Sequence, residues 1–399
     1  MGRKGWRDSF LRLDSRAALK NLELPCLYHM DRDELYELNG EGMDFLRRCD
    51  GSQRGRDLTD DGRFVGFCLR EGLLQPLSAP APVEVRVAES PVPSLRYLEL
   101  QLTHRCNLAC LHCYLGLPRA AELSLGDALS ISRQFGEMGG LRLMLSGGEP
   151  LLYPHLREFI EKSADFGLRR VLLTNGTLIT DDNAGWLGVE EIQFSLDGWQ
   201  EGHDLLRGDG AFAATMRGIE AAMAMGMQIS IATMVHRGNL DEFGRLRMFA
   251  EEINAVQWGV DILCSAGSLV ENRGLLVPYE EAAPFMEHAF GGGYHGSSDG
   301  FACGRHLMTV TPEGKAVKCG FYADRPLGDA SEELRACWLR LEHVSMATLE
   351  CAGCPVAADC AGGCRFRAER PLGPDPAMCA FYGVDAEKTC AAGRRGDPL

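Results

Sequence analysis

No apolar run in this sequence approaches the roughly 18 to 20 residues that a membrane-crossing helix needs. An excess of positive charge is also missing. Lysine and arginine total 41 against 56 aspartate and glutamate, a formal charge of -15, which excludes a broad electrostatic grip on nucleic acid. The opening residues MGRKGWRDSFLRLDSRA contain no continuous apolar core followed by small residues, so no secretion signal is read there. With 45% apolar and 24% charged residues, the composition also excludes a disordered chain, and 399 residues suffice for two or three modules. What the chain does have is cysteine, in 16 copies. Diluted through a long chain without an export signal, these thiols read as metal ligands in a reducing compartment, the cytoplasm, rather than as a disulfide framework.

The N-terminal 80 residues read as a small module. Leu22 to Met30 and Leu35 to Asn39 flank a polar break and predict a hairpin, and Gly42–Phe45 and Phe64–Leu74 predict two short helices. Residues 1 to about 20 carry little pattern. Gln75 to Pro93 holds five prolines in nineteen residues, with Val83, Val85 and Val87 alternating between them, and predicts a linker over 81–94 with one short edge strand. From Leu95, apolar strands alternate with amphipathic helices: Tyr97–Leu102, Arg142–Leu145, Val171–Leu173, Glu191–Ser195, Ile229–Met234 and Gln257–Leu263. This alternation predicts an α/β domain over 95–290 with a parallel sheet, and six units fit a partial barrel with chemistry at the strand C-terminal ends. Residues 291–399 are rich in glycine, proline and cysteine, and their core is expected to need metal staples.

Directly after the first of these strands stand Cys106, Cys110 and Cys113, spaced C-x3-C-x2-C. Three thiolates so spaced can hold three irons of a cubane and leave the fourth for an exogenous ligand. A structural zinc ion would need His104 or His112 as a fourth ligand. Ser146-Gly147-Gly148-Glu149-Pro150 follows the second strand, Thr174-Asn175-Gly176 the third, and Ser195-Leu196-Asp197-Gly198 the fourth.

This series of motifs resembles the radical S-adenosylmethionine (SAM) superfamily. Its signature usually has an aromatic residue before the last cysteine, where this chain has His112. The resemblance implies a [4Fe-4S] cluster on Cys106, Cys110 and Cys113 that binds SAM and cleaves it reductively to a 5′-deoxyadenosyl radical. It also implies a cofactor-binding set of Tyr114, Gly147, Gly148, Glu149, Asn175, Ser195 and Asp197. Glu149 would receive the cofactor's ammonium, and Ser195 and Asp197 would lie near its ribose and methionine portions.

The C-terminal pattern is Cys303-x10-Gly314-x4-Cys319, then Cys351-x2-Cys354-x5-Cys360-x3-Cys364, then Cys379. It resembles the SPASM extension of radical SAM enzymes, which implies two auxiliary [4Fe-4S] clusters. Carried over by position, Cys351, Cys354, Cys360 and Cys379 form the outer shell, and Cys303, Cys319 and Cys364 give three ligands of the inner one. Relatives place another cysteine shortly before Cys303, where this chain has Ser297 and Ser298. The inner cluster would therefore keep an open iron, able to bind a substrate thiolate or solvent, or recruit Cys264, His295 or Asp299. Cys26, Cys49 and Cys68 lie on apolar patterns and read as packing residues, while Cys337 and Cys390 have no assigned role.

Auxiliary clusters suit a net oxidation, because the electron left after hydrogen abstraction needs an acceptor. The N-terminal module is similar to PqqD-like, winged-helix peptide-recognition modules, which implies that a leader peptide adds a strand to its edge. The implied function is oxidative modification of a ribosomally made precursor peptide, through a thioether or carbon–carbon link, with flavodoxin or ferredoxin as electron donor. Gly320 stands where sulfatase-maturing enzymes commonly have aspartate after the second SPASM cysteine. Two other functions remain open: oxidation or decarboxylation of a tetrapyrrole side chain, with Arg305 or His306 near the carboxylates, and a non-enzymatic leader-binding scaffold.

Overall fold

The structure, a computed structural model, describes residues 5–293, 295, 302–303 and 306–386. Its N-terminal part comprises β1 (Phe10–Leu13), β2 (Ala17–Asn21), β3 (Pro25–His29), β4 (Glu34–Glu37), α1 (Gly40–Arg48), β5 (Asp50–Arg54), α2 (Gly55–Leu58), α3 (Gly62–Arg70), β6 (Leu74–Leu77) and β7 (Val87–Glu89). The Asn39 side chain accepts from Gly42 N–H at the start of α1, and Asp61 accepts from Arg63 and Phe64 N–H at the start of α3, so each helix begins on a capping residue. Two small sheets result, in the orders β5-β1-β6 and β4-β3-β2-β7. The predicted hairpin is β3–β4, but residues 10–21, which carry little sequence pattern, form two further strands. Their sequences, Phe-Leu-Arg-Leu and Ala-Ala-Leu-Lys-Asn, lack strict alternation of apolar and polar residues. Of the expected edge strand over Val83, Val85 and Val87, only Val87 falls in a strand, β7, which runs parallel to β2. Cys49 and Cys68 are buried in the core of this part beside Leu46 and Val65, and Cys26 is buried next to Tyr28, as packing thiols would be.

The central part continues with β8 (Tyr97–Thr103), α4 (Leu125–Glu137), β9 (Arg142–Gly147), α5 (Leu156–Lys162), β10 (Arg169–Thr174), α6 (Asp181–Ala184), β11 (Glu191–Ser195), α7 (Gln200–Arg207), α8 (Ala211–Ala224), β12 (Ile229–Val235), α9 (Phe243–Glu252) and β13 (Gln257–Ile262). All six strands from β8 to β13 are parallel neighbours in chain order, and each of the six coincides with its sequence prediction to within two residues. Helices between successive strands bring every strand back in the same direction, so all the C-terminal ends share one edge.

Beyond α10 (Tyr279–Ala282) and β14 (Phe290–Gly291), the chain re-enters this sheet. Strand β15 (Leu307–Val310) pairs in parallel with β8, and β16 (Lys315–Val317) and β17 (Gly328–Asp329) extend it further. Helix α11 (Ala330–Arg340) then buries Trp338 in the same core as Leu98, Leu143 and Phe135, with the indole N–H donating to Pro93 O at 2.7 Å. This corrects the expectation that the whole C-terminal region depends on metal for a core: residues 307–341 share the main one. Only the segment carrying α12 (Ala357–Cys360) and α13 (Pro376–Phe381) is poor in buried apolar residues.

The N-terminal sheet caps the strand N-terminal ends. Buried Lys20 Nζ donates to Gly140 O (2.6 Å) and Gly167 O (3.0 Å), and burial pushes its pKa down to about 8. Arg169, at the first position of β10, donates to Met30 O (2.7 Å) and Asp31 O (2.9 Å) with one nitrogen and to Glu191 (2.8 Å) and Gln228 (2.7 Å) with the other. Arg142 pairs with Asp33, and Arg96 pairs with Glu23. The edge opposite this cap, at the strand C-terminal ends, is left for the cysteine loop.

Candidate functional site

A cleft of about 1040 Å3 opens at the C-terminal ends of β8 to β11. Cys106, Cys110, Cys113, Tyr114, Gly147, Gly148, Asn175 and Ser195 all line it. The Cys106–Cys113 loop leaves the end of β8, and Cys113 N–H turns back to Cys110 O at 3.2 Å. The turn after β9 packs directly on the stem of this loop. Gly148 N–H donates to Thr103 O and Glu149 N–H to Arg105 O, each at 2.8 Å. A Cβ on Gly147 would lie 2.2 Å from Thr103 O, and one on Gly148 would lie 2.4 Å from Arg105 O. The close approach that demands glycine is to the backbone of the cysteine loop, and both glycines also line the cleft.

Glu149 and Asp197 stand behind the cleft wall. Glu149 is fully buried, and burial raises its pKa while hydrogen bonds work the other way. Its carboxylate accepts from Asn175 N–H (2.9 Å), Leu151 N–H (3.1 Å) and Thr174 Oγ1 (2.8 Å), which fixes the Asn175 turn. A carboxylate has about four acceptor sites, and these contacts take three of them. Asn175 in turn donates to Asn107 Oδ1 at 3.0 Å, joining the third strand's turn to the cysteine loop.

Asp197 accepts from Met234 N–H (2.7 Å) and from Arg207 Nε (2.6 Å), and its carbonyl is held by His236 Nε2 and Asn239 Nδ2, each at 2.8 Å. Burial opposes its ionisation, but Arg207 and the neighbouring histidines hold the carboxyl well below its usual range. The geometry therefore gives Asp197 contacts to Arg207 rather than a place on the cleft surface. Arg207 does line the cleft, and its guanidinium reaches Cys110 Sγ at 4.0 Å. Burial pushes the Cys110 thiol up to about 11 while Arg207 draws it down. His112 is partly buried and lines the cleft; desolvation lowers its pKa to about 4, and Nε2 lies 3.7 Å from Asp197.

Sequence reasoning missed Arg207 and Glu99. No local pattern links Arg207 to a cysteine 97 residues away. Glu99 had a signal, as the one carboxylate in strand β8. It lies on the cleft floor and accepts from Tyr114 Oη (3.1 Å), Ser146 Oγ (2.8 Å) and Thr309 Oγ1 (2.8 Å), tying three strands together.

The C-terminal cysteines fall into two groups. Cys351, Cys354, Cys360 and Cys379 surround one small hollow, walled also by Met346, Val356 and Met378. Cys303 and Cys364 are neighbours, with Cys319 close enough to act on Cys364 electrostatically. This second group adjoins the first site: the Tyr114 ring packs over Gly320 and 5.1 Å from the Phe321 ring. Cys337 is buried in the main core, with Sγ 3.5 Å from Asp329 O. Ser297, Ser298, Asp299, Arg305 and Cys390 lie outside the described residues.

Among the described residues, no three His, Cys, Asp or Glu side chains converge closely enough to share one metal ion. A zinc site requires that convergence, whereas a cubane takes each thiolate on a different iron. Thiols spread around a hollow or at the mouth of a cleft fit the second demand. Residues 100–250 match the family described as the Radical SAM superfamily. The chain carries a radical SAM domain.

This radical SAM span holds the cysteine trio, the glycine turn, Asn175, Ser195, Asp197 and Arg207, and it ends before the C-terminal cysteines. An AdoMet-dependent heme synthase of Oleidesulfovibrio alaskensis is 35% identical over 204 residues, covering 49% of this chain and 53% of that protein. The match spans about half the length of this and the other curated heme synthases. A PqqA peptide cyclase of Streptomyces rochei is 28% identical over 339 residues, covering 73% of this chain and 90% of that protein. Among solved structures, Streptococcus suis SuiB bound to precursor peptide SuiA has a TM-score of 0.67 at 15% identity, over 92% of this chain and 99% of that one. Native anSMEcpe with bound AdoMet has a TM-score of 0.56 at 17% identity, over 75% of this chain and all of the other. At these identities the likeness is one of fold. Among the described residues no helix is long and apolar enough to cross a membrane.

The glycine contacts give a first prediction for the radical SAM site. Gly148→Ala should push the Arg105 backbone aside and with it the stem of the cysteine loop, so that SAM affinity falls at least about tenfold, an effect of about 1.4 kcal/mol. Equilibrium binding of SAM to the anaerobically reconstituted variant measures this, and unchanged affinity would show that the loop tolerates the extra atom.

Proposed function

We propose that this protein is a radical SAM oxidoreductase that makes an oxidative thioether or carbon–carbon link in a ribosomally synthesised precursor peptide. In this reading residues 95–290 are a partial (β/α)6 barrel, residues 1–80 a PqqD-like winged-helix module joined by the 81–94 linker, and residues 291–399 a SPASM domain. The observation that carries the reading is one cleft into which three cysteines, a glycine turn and Asn175 all open, backed by two further cysteine groups. The peptide assignment is supported by the 73% coverage of this chain by a PqqA peptide cyclase, against about half for the heme synthases. Strand β4 supports it too, since among the described residues it pairs on one side only and its other edge is open to an added strand.

Cys106, Cys110 and Cys113 would hold a [4Fe-4S] cluster with SAM, which together supply one-electron chemistry and hydrogen abstraction when bound. Arg207 places a positive charge beside Cys110, favouring its thiolate, and is itself oriented by Asp197. Glu149 holds the Asn175 turn and offers a remaining acceptor site to the cofactor's ammonium, and Ser195 lines the same wall. Tyr114, pinned through its hydroxyl to Glu99, lines the cleft and packs on Phe321 beside the inner cysteine group. The Cys351, Cys354, Cys360, Cys379 set and the Cys303, Cys319, Cys364 set would hold two auxiliary clusters that take the leftover electron, with a flavodoxin or ferredoxin as the external donor.

A second reading, oxidation or decarboxylation of a tetrapyrrole side chain, is favoured by the 35% identity to heme synthases within the radical SAM span. The two separate on the substrate. Anaerobic capture from native extract, followed by mass spectrometry after turnover with SAM and reductant, should yield a short peptide that loses the mass of two hydrogens. Enrichment of a tetrapyrrole carboxylate instead would replace the first reading with the second.

A further inference from the structure

Sequence spacing leaves the inner auxiliary site with three cysteines and several ways to complete it. The structure narrows them. Cys264 lies two residues past β13, the last of the six parallel strands, at the same sheet edge as the cysteine cleft. Its thiol neighbours that of Cys364, which neighbours Cys303 in turn. Cys319 is near enough to act on the same Cys364 thiol through its charge. Cysteines from three other segments thus lie on the Cys364 side of the sheet edge, spread rather than converging on one point.

The arrangement is built rather than incidental. Arg367 pairs with Asp261 on β13 and with Asp375, and Asp375 accepts from Cys364 N–H at 2.7 Å. This chain of ion pairs ties the Cys364 segment to the strand end that carries Cys264. Unlike Cys26, Cys49, Cys68 and Cys337, Cys264 is not buried in an apolar core, so packing does not account for it. His295 is committed elsewhere: Nε2 lies 2.7 Å from Asp33 O, and Nδ1 lies 3.0 Å from Tyr97 Oη. As thiolates the four sulfurs would repel one another, and an iron–sulfur core is the group that offsets such repulsion.

We infer that Cys264 is the fourth ligand of the inner auxiliary [4Fe-4S] cluster, so that all four irons are held by protein. The inference rests on the auxiliary-cluster reading above and adds a functional consequence to it. A cluster closed in this way has no iron for a substrate thiolate, and a peptide cysteine is not activated by binding there. The cluster can still exchange electrons. Thioether formation at this protein would then have to present its sulfur from solution or from the cleft.

The test starts from the reconstituted full-length variant with Cys106, Cys110 and Cys113 all replaced by alanine, which retains only the auxiliary sites. It should bind about eight irons per chain, and the EPR spectrum of its reduced form should not respond to added 2-mercaptoethanol. Adding Cys264→Ala should shift the signal of one cluster and make it respond to the thiol. Adding Cys264→Ser, which keeps a coordinating atom, should shift the same signal with iron retained. A parent spectrum that already responds to thiol would overturn the inference, as would Cys264→Ala or Cys264→Ser spectra identical to the parent. If Cys264→Ala loses one cluster's iron, the serine variant decides between these outcomes. A parent with well under eight irons would instead sink the auxiliary-cluster reading, and this inference with it.

Discussion

Cys106→Ala, Cys110→Ala and Cys113→Ala should each reduce 5′-deoxyadenosine formation from SAM to background, while leaving about eight of about twelve irons in place. The expected loss exceeds 100-fold, because even outer-shell partners of a metal ligand cost about 10- to 100-fold when removed, and these residues would be the ligands themselves. The selectivity of the loss follows from geometry. The trio opens into the cleft at the ends of β8 to β11, whereas Cys351, Cys354, Cys360 and Cys379 surround a separate hollow. Chromatographic detection of 5′-deoxyadenosine, with iron and sulfide counting on the same samples, checks both halves. Cleavage that persists in the alanine variants would place the active cluster elsewhere, and loss of all iron would mean that the three sites assemble as one unit.

The second large effect is on stability. Arg169 is fully buried and spans the junction, with two donations to the N-terminal part and two to the strand bottoms of β11 and β12. Arg169→Ala leaves Glu191 buried without its counter-charge and Met30 O without its donor, while Asp31 O keeps only Gln228 Nε2, and breaking a buried pair in this way costs about 3–5 kcal/mol. Deleting residues 1–80 goes further, since it removes the partners of Arg169, Arg142 and Arg96 together. The truncated chain should therefore be insoluble or melt far below the parent, and its peptide affinity would say nothing about a leader site. Denaturant titration of Arg169→Ala against the parent measures the first effect. A midpoint that does not move would show that the N-terminal part docks loosely and can be removed as a separate unit.

This interlocking was not legible in the sequence. Arg169, Arg142 and Lys20 each look like ordinary surface charges in the linear chain, and only the docking of β2 and β3 on the strand bottoms buries them. The parallel strands were legible for the opposite reason. Strands covered on both faces read as short apolar runs, and the helices between them supply a second period. Strand β15 was not, because its neighbour β8 lies about 210 residues earlier and nothing local encodes that pairing. At the site, the cysteine spacings and the Ser146–Pro150 turn were readable because each is held within one loop. Glu99 and Arg207 were not, because their partners come from other strands.

Composition and spacing alone were therefore enough to establish a parallel α/β domain with a three-cysteine site at its first strand end and a cysteine-rich extension. Those features depend on neighbours within a few residues, where chain connectivity sets the distances. Tertiary structure decided the rest: that the C-terminal region shares the main core, that Glu149 and Asp197 stand behind the cleft wall, and that Cys264 meets Cys364. Each depends on contacts between separate elements: β15 pairs with β8, the turn after β10 holds Glu149, α7 and β12 hold Asp197, and Arg367 with Asp261 brings the α12–α13 region to the end of β13.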